Sequence, residues 1–192
     1  MNTDQRKAIL SFLKKTLTPQ RFLHVMSVTQ LAQDLAEIHH LNQDQAEQAA
    51  LLHDVARCWT DSQLKDYVLH HRIRIPCRDF LFKHQPLLLH CFVGAHLAKV
   101  QFLISDPHVL SAISKHTFAD LEMSDLDQLL FVSDFAAPDR KSSEAAQVRQ
   151  LAKKHLQESF KEALKLKLLY LLRSDGMLYP NAAVIWNQWI KK

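Results

Sequence analysis

An all-helical fold is the architecture that this 192-residue sequence predicts. Glycine is very scarce, with only Gly94 and Gly176 in the chain, whereas β-hairpins and glycine-rich phosphate loops depend on glycine for positive φ angles. Apolar residues recur at the helical period, and residues that favour helix starts precede several of these segments. Together these observations predict a bundle of about eight or nine α-helices and no strand.

Capping signals place the individual helices along the chain. Thr3 is a candidate cap for the first helix, and Thr18-Pro19 puts a capping side chain before a proline at the start of a second helix that reaches about Ile38. The other helices are predicted at about 42–57, 62–71, 86–102, 106–116, 124–134, 143–173 and 184–189, with an irregular connection around Pro76. Gly176 is expected to end the long amphipathic helix of 143–173.

The composition is that of an ordinary globular domain, with 47% apolar and 23% charged residues. The chain length predicts one domain over residues 1–192, with the core motifs in about 18–140 and the C-terminal helices of 143–192 packed on it. A net charge of +4 can attract an anionic substrate, but the charges are too few and too scattered to indicate nucleic-acid binding.

Three features indicate a cytoplasmic protein. The N-terminal residues contain no apolar segment typical of a secretory signal. No stretch reaches the eighteen apolar residues that a membrane span requires. The three cysteines, Cys58, Cys77 and Cys91, are an odd number without a CxxC pair, so we expect free thiols in a reducing compartment.

Six ionisable residues lie on apolar helix faces, where surface polar residues do not belong. His24, for example, shares a stripe with Val28 and Leu31 at the spacing i, i+4, i+7. The full set, spread over five predicted helices, is His24, His53, Asp54, His90, His116 and Asp134.

A single buried histidine is more often a hydrogen-bonded core residue, but six such groups in one small core indicate a shared partner. A metal ion is the simplest partner, because it favours neutral imidazole and ionised carboxylate. Ligands of this mixed type, without thiolate, suit Fe, Mn, Zn or Mg.

The segments around these residues resemble the HD-domain phosphohydrolases, whose signature is a His, a His-Asp pair and a distant Asp. More narrowly, the chain resembles the YqeK family, which cleaves diadenosine tetraphosphate symmetrically to two ADP at a two-iron centre. The matching segments are RFLHVMSV, AALLHDVAR, LLHCFVGA, ISKHT, FVSDFAAPDR and the closing LYPNAAVIWNQW, and they span nearly the whole chain in order.

The resemblance implies a division of the six residues between two metals, with Asp54 as the bridge. It assigns His24, His53, Asp54 and Asp134 to the first metal, and His90 and His116 to the second. Two iron ions are therefore the expected cofactor, with Mn, Zn or Mg as alternatives.

Substrate contacts are predicted from residues next to these ligands in sequence. Arg57, Lys115 and Arg140 are candidates to bind phosphate groups, against the alternative of solvated surface charges. Thr117 is a candidate hydrogen-bond donor near the metal, against the alternative of a helix cap. With Asp54, the residues Arg57, Thr117 and Arg140 form the predicted catalytic set.

The sequence departs from the family pattern at the rim of this predicted site. Phe118-Ala119-Asp120 stands where the family usually has Ser-Gly-Arg-like residues, Ala137 replaces a Glu, and Arg57 replaces a Lys. Two alternatives therefore stay open: an HD hydrolase of another nucleotide, such as a monophosphate or a cyclic nucleotide, and a regulatory or binding protein with weak catalysis. A nucleotide is the expected partner, and the apolar last helices make a homodimer plausible.

Overall fold

The computed structural model describes residues 1–191, and within them every regular element is a helix. The α-helices are α1 (Thr3–Thr16), α2 (Pro19–Ile38), α3 (Gln43–Leu52), α4 (Asp61–His70), α5 (Arg78–His84), α6 (His90–Val100), α7 (Pro107–Lys115), α8 (Asp125–Ala136), α9 (Ser143–Ala152), α10 (Leu156–Arg173) and α11 (Ala182–Ile190). A short 3₁₀ helix, Pro86–Leu89, precedes α6. The predicted all-α class is confirmed, with two more α-helices than the upper estimate.

Local capping chemistry sets most of the helix starts. The side chains of Thr18, Asn42, Asp106 and Ser124 each accept a hydrogen bond from a backbone N–H in the first turn of the helix that follows. These caps satisfy N–H groups that have no partner inside the helix. The first helix differs slightly from the prediction, because Asn2 rather than Thr3 is its N-cap.

The predicted long helix of 143–173 is wrong in one respect, since it is broken into α9 and α10. The backbone is extended at His155, with φ of −143° and ψ of 92°. The carbonyl oxygen of Ala152 accepts a hydrogen bond from His39 Nε2 at 2.6 Å. A histidine from a distant helix therefore satisfies a carbonyl that would otherwise continue the helix, and such a contact leaves no local sequence signal.

The chain around residues 76–102 also differs from the prediction. Pro86 starts a 3₁₀ turn of four residues rather than a long α-helix, and the α-helix proper begins at His90. The segment after Pro76 contains α5, which has no capping side chain at its N-terminus. An uncapped helix of seven residues carries too weak a sequence pattern to be predicted.

The central element is α8, which is buried along almost its whole length and contacts α2, α3, α7, α9 and α10. Its buried apolar residues include Leu129, Leu130, Phe131 and Val132. The packing of α2 on α3 and of α6 on α7 completes the walls around it. None of the helices in residues 1–191 combines the length and the apolar character that crossing a bilayer requires.

The C-terminus of α10 has a Schellman motif in which the predicted glycine plays a different part. Asp175, not Gly176, has the left-handed conformation, with φ of 52°. The N–H of Gly176 donates to the carbonyl of Leu171 at 2.7 Å, and a Cβ at Gly176 would lie 3.3 Å from that same oxygen. A side chain at position 176 would therefore crowd this close approach, whereas the strained φ falls on an aspartate.

We expect Asp175→Gly to stabilise the protein by about 0.5–1 kcal/mol, because glycine adopts a positive φ without steric cost. Asp175 is exposed, so little packing is lost. Urea denaturation of the two proteins measures the difference, with Asp66→Gly, inside α4, as a control that is expected to destabilise. A lower free energy of unfolding for Asp175→Gly would contradict the interpretation.

Candidate metal centre

Three histidines of the cluster are held in the same way by the backbone. The Nδ1 atoms of His53, His90 and His116 each lie 2.7 Å from the carbonyl oxygen three residues earlier, those of Ala50, Leu87 and Ile113 respectively. A carbonyl can only accept, so Nδ1 carries the hydrogen in each ring. A neutral imidazole in this tautomer presents the lone pair of Nε2, which is the arrangement that metal ligation requires.

The Nε2 atoms of these rings converge on Asp54. Oδ1 of Asp54 lies 3.3 Å from His90 Nε2 and 3.9 Å from His116 Nε2, and Oδ2 lies 3.4 Å from His53 Nε2. Asp54 is 3% exposed, so an ionised carboxylate here needs positive partners. Part of that charge comes from Arg21 of α2, whose Nη1 donates to Oδ2 at 2.9 Å.

The other carboxylate, Asp134 of α8, lies next to His24. His24 Nε2 is 3.1 Å from Asp134 Oδ1, and His24 Nδ1 is 2.8 Å from Asp139 Oδ2. Asp134 Oδ1 also accepts a hydrogen bond from Arg140 Nη2 at 2.9 Å, and Lys167 Nζ lies 3.6 Å from Oδ2. The His24 ring is therefore fixed between two carboxylates.

These donors fit a divalent cation. Potential ligand atoms lie within 4.8 Å of one another in two groups that share His53: His24, His53 and Asp134, and His53, Asp54 and His116. His53 Nε2 is fully buried and makes no well-oriented hydrogen bond within residues 1–191. The Nε2 atoms of His90 and His116 face each other at 3.2 Å, although each ring donates through Nδ1. A cation between such lone pairs would stabilise the arrangement, so the cluster can bind a divalent metal.

The electrostatics favour the ligating forms of the carboxylates. Burial alone would raise the pKa of Asp54, but the charge of His53 and the close contacts of the carboxylate with the rings of His53 and His90 outweigh it, and the pKa lies well below its usual value. Burial likewise opposes ionisation of Asp134, but the hydrogen bond from His24 and the charges of Lys167 and Arg140 hold its pKa well below the usual range. Both carboxylates are therefore ionised near neutral pH.

The two innermost histidines respond to burial differently. Burial, followed by the positive charges of His53 and His90, lowers the pKa of His116 to about 3, so His116 is neutral. Burial also opposes the charged form of His53, but the adjacent Asp54 outweighs it and raises the pKa of His53. A metal ion at this centre would need the neutral ring of His53, so metal binding competes with protonation of that ring.

A cleft of about 1180 Å³ opens beside the cluster and carries several of the predicted substrate residues. Arg57, Thr117 and Arg140 line it, as does Phe118 from the segment that departs from the family pattern. Thr117 Oγ1 lies 3.1 Å from His116 Nε2, within reach of the cluster. Positive charge and a hydroxyl group of the cleft therefore lie next to the cluster, where Arg140 contacts Asp134 and Thr117 contacts His116.

Lys115 lies elsewhere, although it precedes His116 in sequence. Its amino group donates to the carbonyl of Glu122 at 2.7 Å and lies 3.3 Å from Asp127 Oδ2, beside a separate groove. Successive helical residues point about 100° apart, which places Lys115 on the outer side of α7 when His116 faces inward. Lys115 is therefore left out of the set of residues proposed to bind phosphate.

Sequence reasoning missed Arg21, Asp139 and Lys167, which contact the cluster directly. Arg21 precedes His24 by one helical turn, so its position was open to inference from helix periodicity. Asp139 lies within the motif that contains Asp134, but it acts on His24, 115 residues away in sequence. Lys167 is one of several lysines on α10, and nothing in the local pattern distinguishes it.

We expect Asp139→Asn to weaken metal binding by about 10- to 100-fold, because carboxylates that orient a histidine ligand typically contribute that much. Asparagine keeps the shape of the side chain but not the charge that fixes the ring. Titration of Mn²⁺ into the purified variants measures the effect, with Asp125→Asn on the outer surface as the control. Equal affinities in the two variants would show that Asp139 does not orient His24.

The comparisons with known proteins agree with this geometry. Residues 21–159 match the HD domain family. Two curated relatives are named symmetrical bis(5'-nucleosyl)-tetraphosphatase. The relative from Bacillus subtilis (strain 168) is 29% identical over 96% of this chain and 97% of its own length. The relative from Halalkalibacterium halodurans is 31% identical over 95% of this chain and 96% of its own length.

A solved structure gives the same result for the fold. The crystal structure of a "predicted HD superfamily hydrolase involved in NAD metabolism" from Clostridium acetobutylicum superposes with a TM-score of 0.90, with 25% identity, over 97% of both chains. The chain therefore belongs to the HD-domain family, as its sequence motifs predict.

Proposed function

We propose that this protein hydrolyses diadenosine tetraphosphate symmetrically to two molecules of ADP. In this reaction water attacks one of the two central phosphorus atoms, and the oxygen bridge between them breaks. One ADP gains the hydroxyl group of the water, and the proton passes to the solution or to the other ADP. The observation that carries the proposal is the position of Arg57, Thr117 and Arg140 in one cleft beside the His-Asp cluster, together with the name shared by the full-length relatives.

The proposed cofactor is a pair of iron ions, with Mn, Zn or Mg as alternatives that the same donors accept. His24, His53, Asp54 and Asp134 would hold the first ion, and His90 and His116 the second, with Asp54 between them. Divalent metals in such a centre supply Lewis acidity to the phosphate oxygens and to the attacking water.

The side chains of the cleft have separate tasks in this proposal. Arg140 donates one hydrogen bond to Asp134 Oδ1 and one to the backbone carbonyl of Asp134. Its side chain is 44% exposed, so its other N–H groups are available to a ligand in the cleft. Arg57 offers a second guanidinium for bidentate binding of a phosphate. Thr117 can donate its hydroxyl hydrogen to an oxygen at the reacting phosphorus. Each of these contacts offsets negative charge that builds up as the anhydride breaks.

The test is anaerobic loading of the protein with ferrous iron, incubation with diadenosine tetraphosphate and chromatography of the products. ADP as the sole product is the expected result. ATP together with AMP would show asymmetric cleavage and contradict the proposal. No turnover by a metal-loaded protein, followed by activity on a nucleoside monophosphate or a cyclic nucleotide, would support the first alternative. Nucleotide binding without any turnover across the panel would support a regulatory protein.

A further inference from the structure

Lys167 lies in the C-terminal half of α10, outside every segment that resembles a known motif. Its side chain nevertheless lines the same cleft as Arg57 and Arg140 and is 26% exposed. A helix outside the motifs therefore delivers a cation to the candidate metal centre.

The position of this ammonium group is fixed from three directions. Nζ donates to the carbonyl oxygen of His116 at 3.3 Å, lies 3.6 Å from Asp134 Oδ2 and stands 4.0 Å from the centre of the Phe131 ring. A charge over an aromatic face at this distance is favourable. The group thus bridges the end of α7 and the middle of α8, the two helices that carry His116 and Asp134.

The ammonium group has free hydrogen-bond donors for a ligand. A lysine has three N–H donors, and only the carbonyl oxygen of His116 lies within hydrogen-bond distance, because Asp134 Oδ2 at 3.6 Å is an ion-pair contact. Within residues 1–191 no further acceptor lies within hydrogen-bond distance of Nζ, and the exposed part of the side chain is in the cleft. An anionic oxygen in the cleft can therefore accept a hydrogen bond from the ammonium group.

We propose that Lys167 binds a phosphate group of the nucleotide in this cleft and is a substrate-binding residue of the centre. This inference rests on the proposed function, which places the nucleotide substrate in the cleft. It assigns a direct role to α10, which was expected only to pack against the core. The ammonium acts as a compact point charge between the metal ligands and the substrate, whereas Arg57 and Arg140 offer planar pairs of donors.

The test compares Lys167→Met with Lys165→Met in protein loaded with Mn²⁺. Methionine keeps the length and the apolar contacts of the lysine stem, so the packing on Phe131 is retained. Lys165 lies two residues away on the same helix and pairs with Glu162 at 2.5 Å, outside the cleft. Two quantities are measured for each variant: the affinity for ADP by calorimetry and the bound Mn²⁺ per chain. Lys167→Gln serves as a second variant if the first fails to fold.

We expect Lys167→Met to raise the dissociation constant for ADP by about 10- to 100-fold, as for the loss of a hydrogen bond between two charged groups. Bound Mn²⁺ should not change, and Lys165→Met should behave as the unmodified protein. Unchanged ADP affinity would overturn the inference. A parallel loss of Mn²⁺ and ADP would also overturn it, because Lys167 would then act only by supporting Asp134. If the unmodified protein binds ADP but leaves diadenosine tetraphosphate intact, the proposed function fails while this binding comparison stays valid.

Discussion

Asp54→Asn is expected to lose more than about 100-fold in metal affinity and nearly all turnover. Groups that merely orient metal ligands contribute about 10- to 100-fold, and a carboxylate at the centre of the cluster should contribute more. Both oxygens of Asp54 face the Nε2 atoms of the clustered histidines, at distances from 3.3 to 3.9 Å. Asparagine has the same shape but offers one neutral oxygen, so charge rather than packing is tested.

The matched control for Asp54→Asn is Asp79→Asn, since Asp79 is 95% exposed and distant from the cluster. Metal content per chain and the rate of ADP formation are measured for both variants. His53→Ala should reproduce the loss, because His53 belongs to both groups of potential ligands. Normal metal content and turnover in these variants would place the metal centre elsewhere.

Gly94→Leu is expected to destabilise the protein by about 2–3 kcal/mol and to disturb metal binding. A Cβ at position 94 would lie 3.4 Å from the carbonyl oxygen of His53, 3.5 Å from that of Leu52 and 3.5 Å from Ile113 Cγ2. The additional atoms of leucine must displace the backbone of α3 as well as the buried side chain of Ile113, and overpacking of this kind is costly. Because the backbone that moves carries His53, the geometry of the candidate metal centre moves with it.

Gly94→Ala provides the contrast, because its single added carbon makes only ordinary contacts. Alanine also favours the helix by about 1 kcal/mol over glycine. We therefore expect this variant to stay within about 1 kcal/mol of the unmodified protein. Urea denaturation measures the free energy of unfolding of both variants, and Mn²⁺ titration measures their metal affinity. Equal stability of the leucine and alanine variants would show that the close approach of α6 to α3 is not required.

Local chemistry is the part of this fold that could be predicted from the sequence. The helix starts after Thr18, Asn42 and Asp106 depend on one side chain and the first turn that follows it. The break after Ala152 depends instead on His39, which is 113 residues away. Contacts at such a separation leave no periodic signal, so the long helix was the natural but wrong expectation.

The residues of the candidate site also fall into those that helix periodicity predicts and those that depend on packing between distant helices. Apolar faces at helical spacing placed the histidines and aspartates toward the interior, and the structure brings all six together, although their role as metal ligands stays a prediction. Lys115 could not be placed correctly, because adjacency in sequence does not imply adjacency in space on a helix. Lys167 could not be found at all, since its contacts with His116 and Asp134 follow from the packing of α10.

The bond from each ring to a carbonyl three residues earlier has a consequence for the thermodynamics of metal capture. His53, His90 and His116 are ordered by their own helix ends, so their rotamer entropy is lost when the chain folds and not when an ion arrives. Ordering a side chain costs about 0.5–1.5 kcal/mol, so three pre-ordered rings spare the binding step roughly 1.5–4.5 kcal/mol. That sum corresponds to a factor of roughly 10 to 2000 in the dissociation constant of the ion.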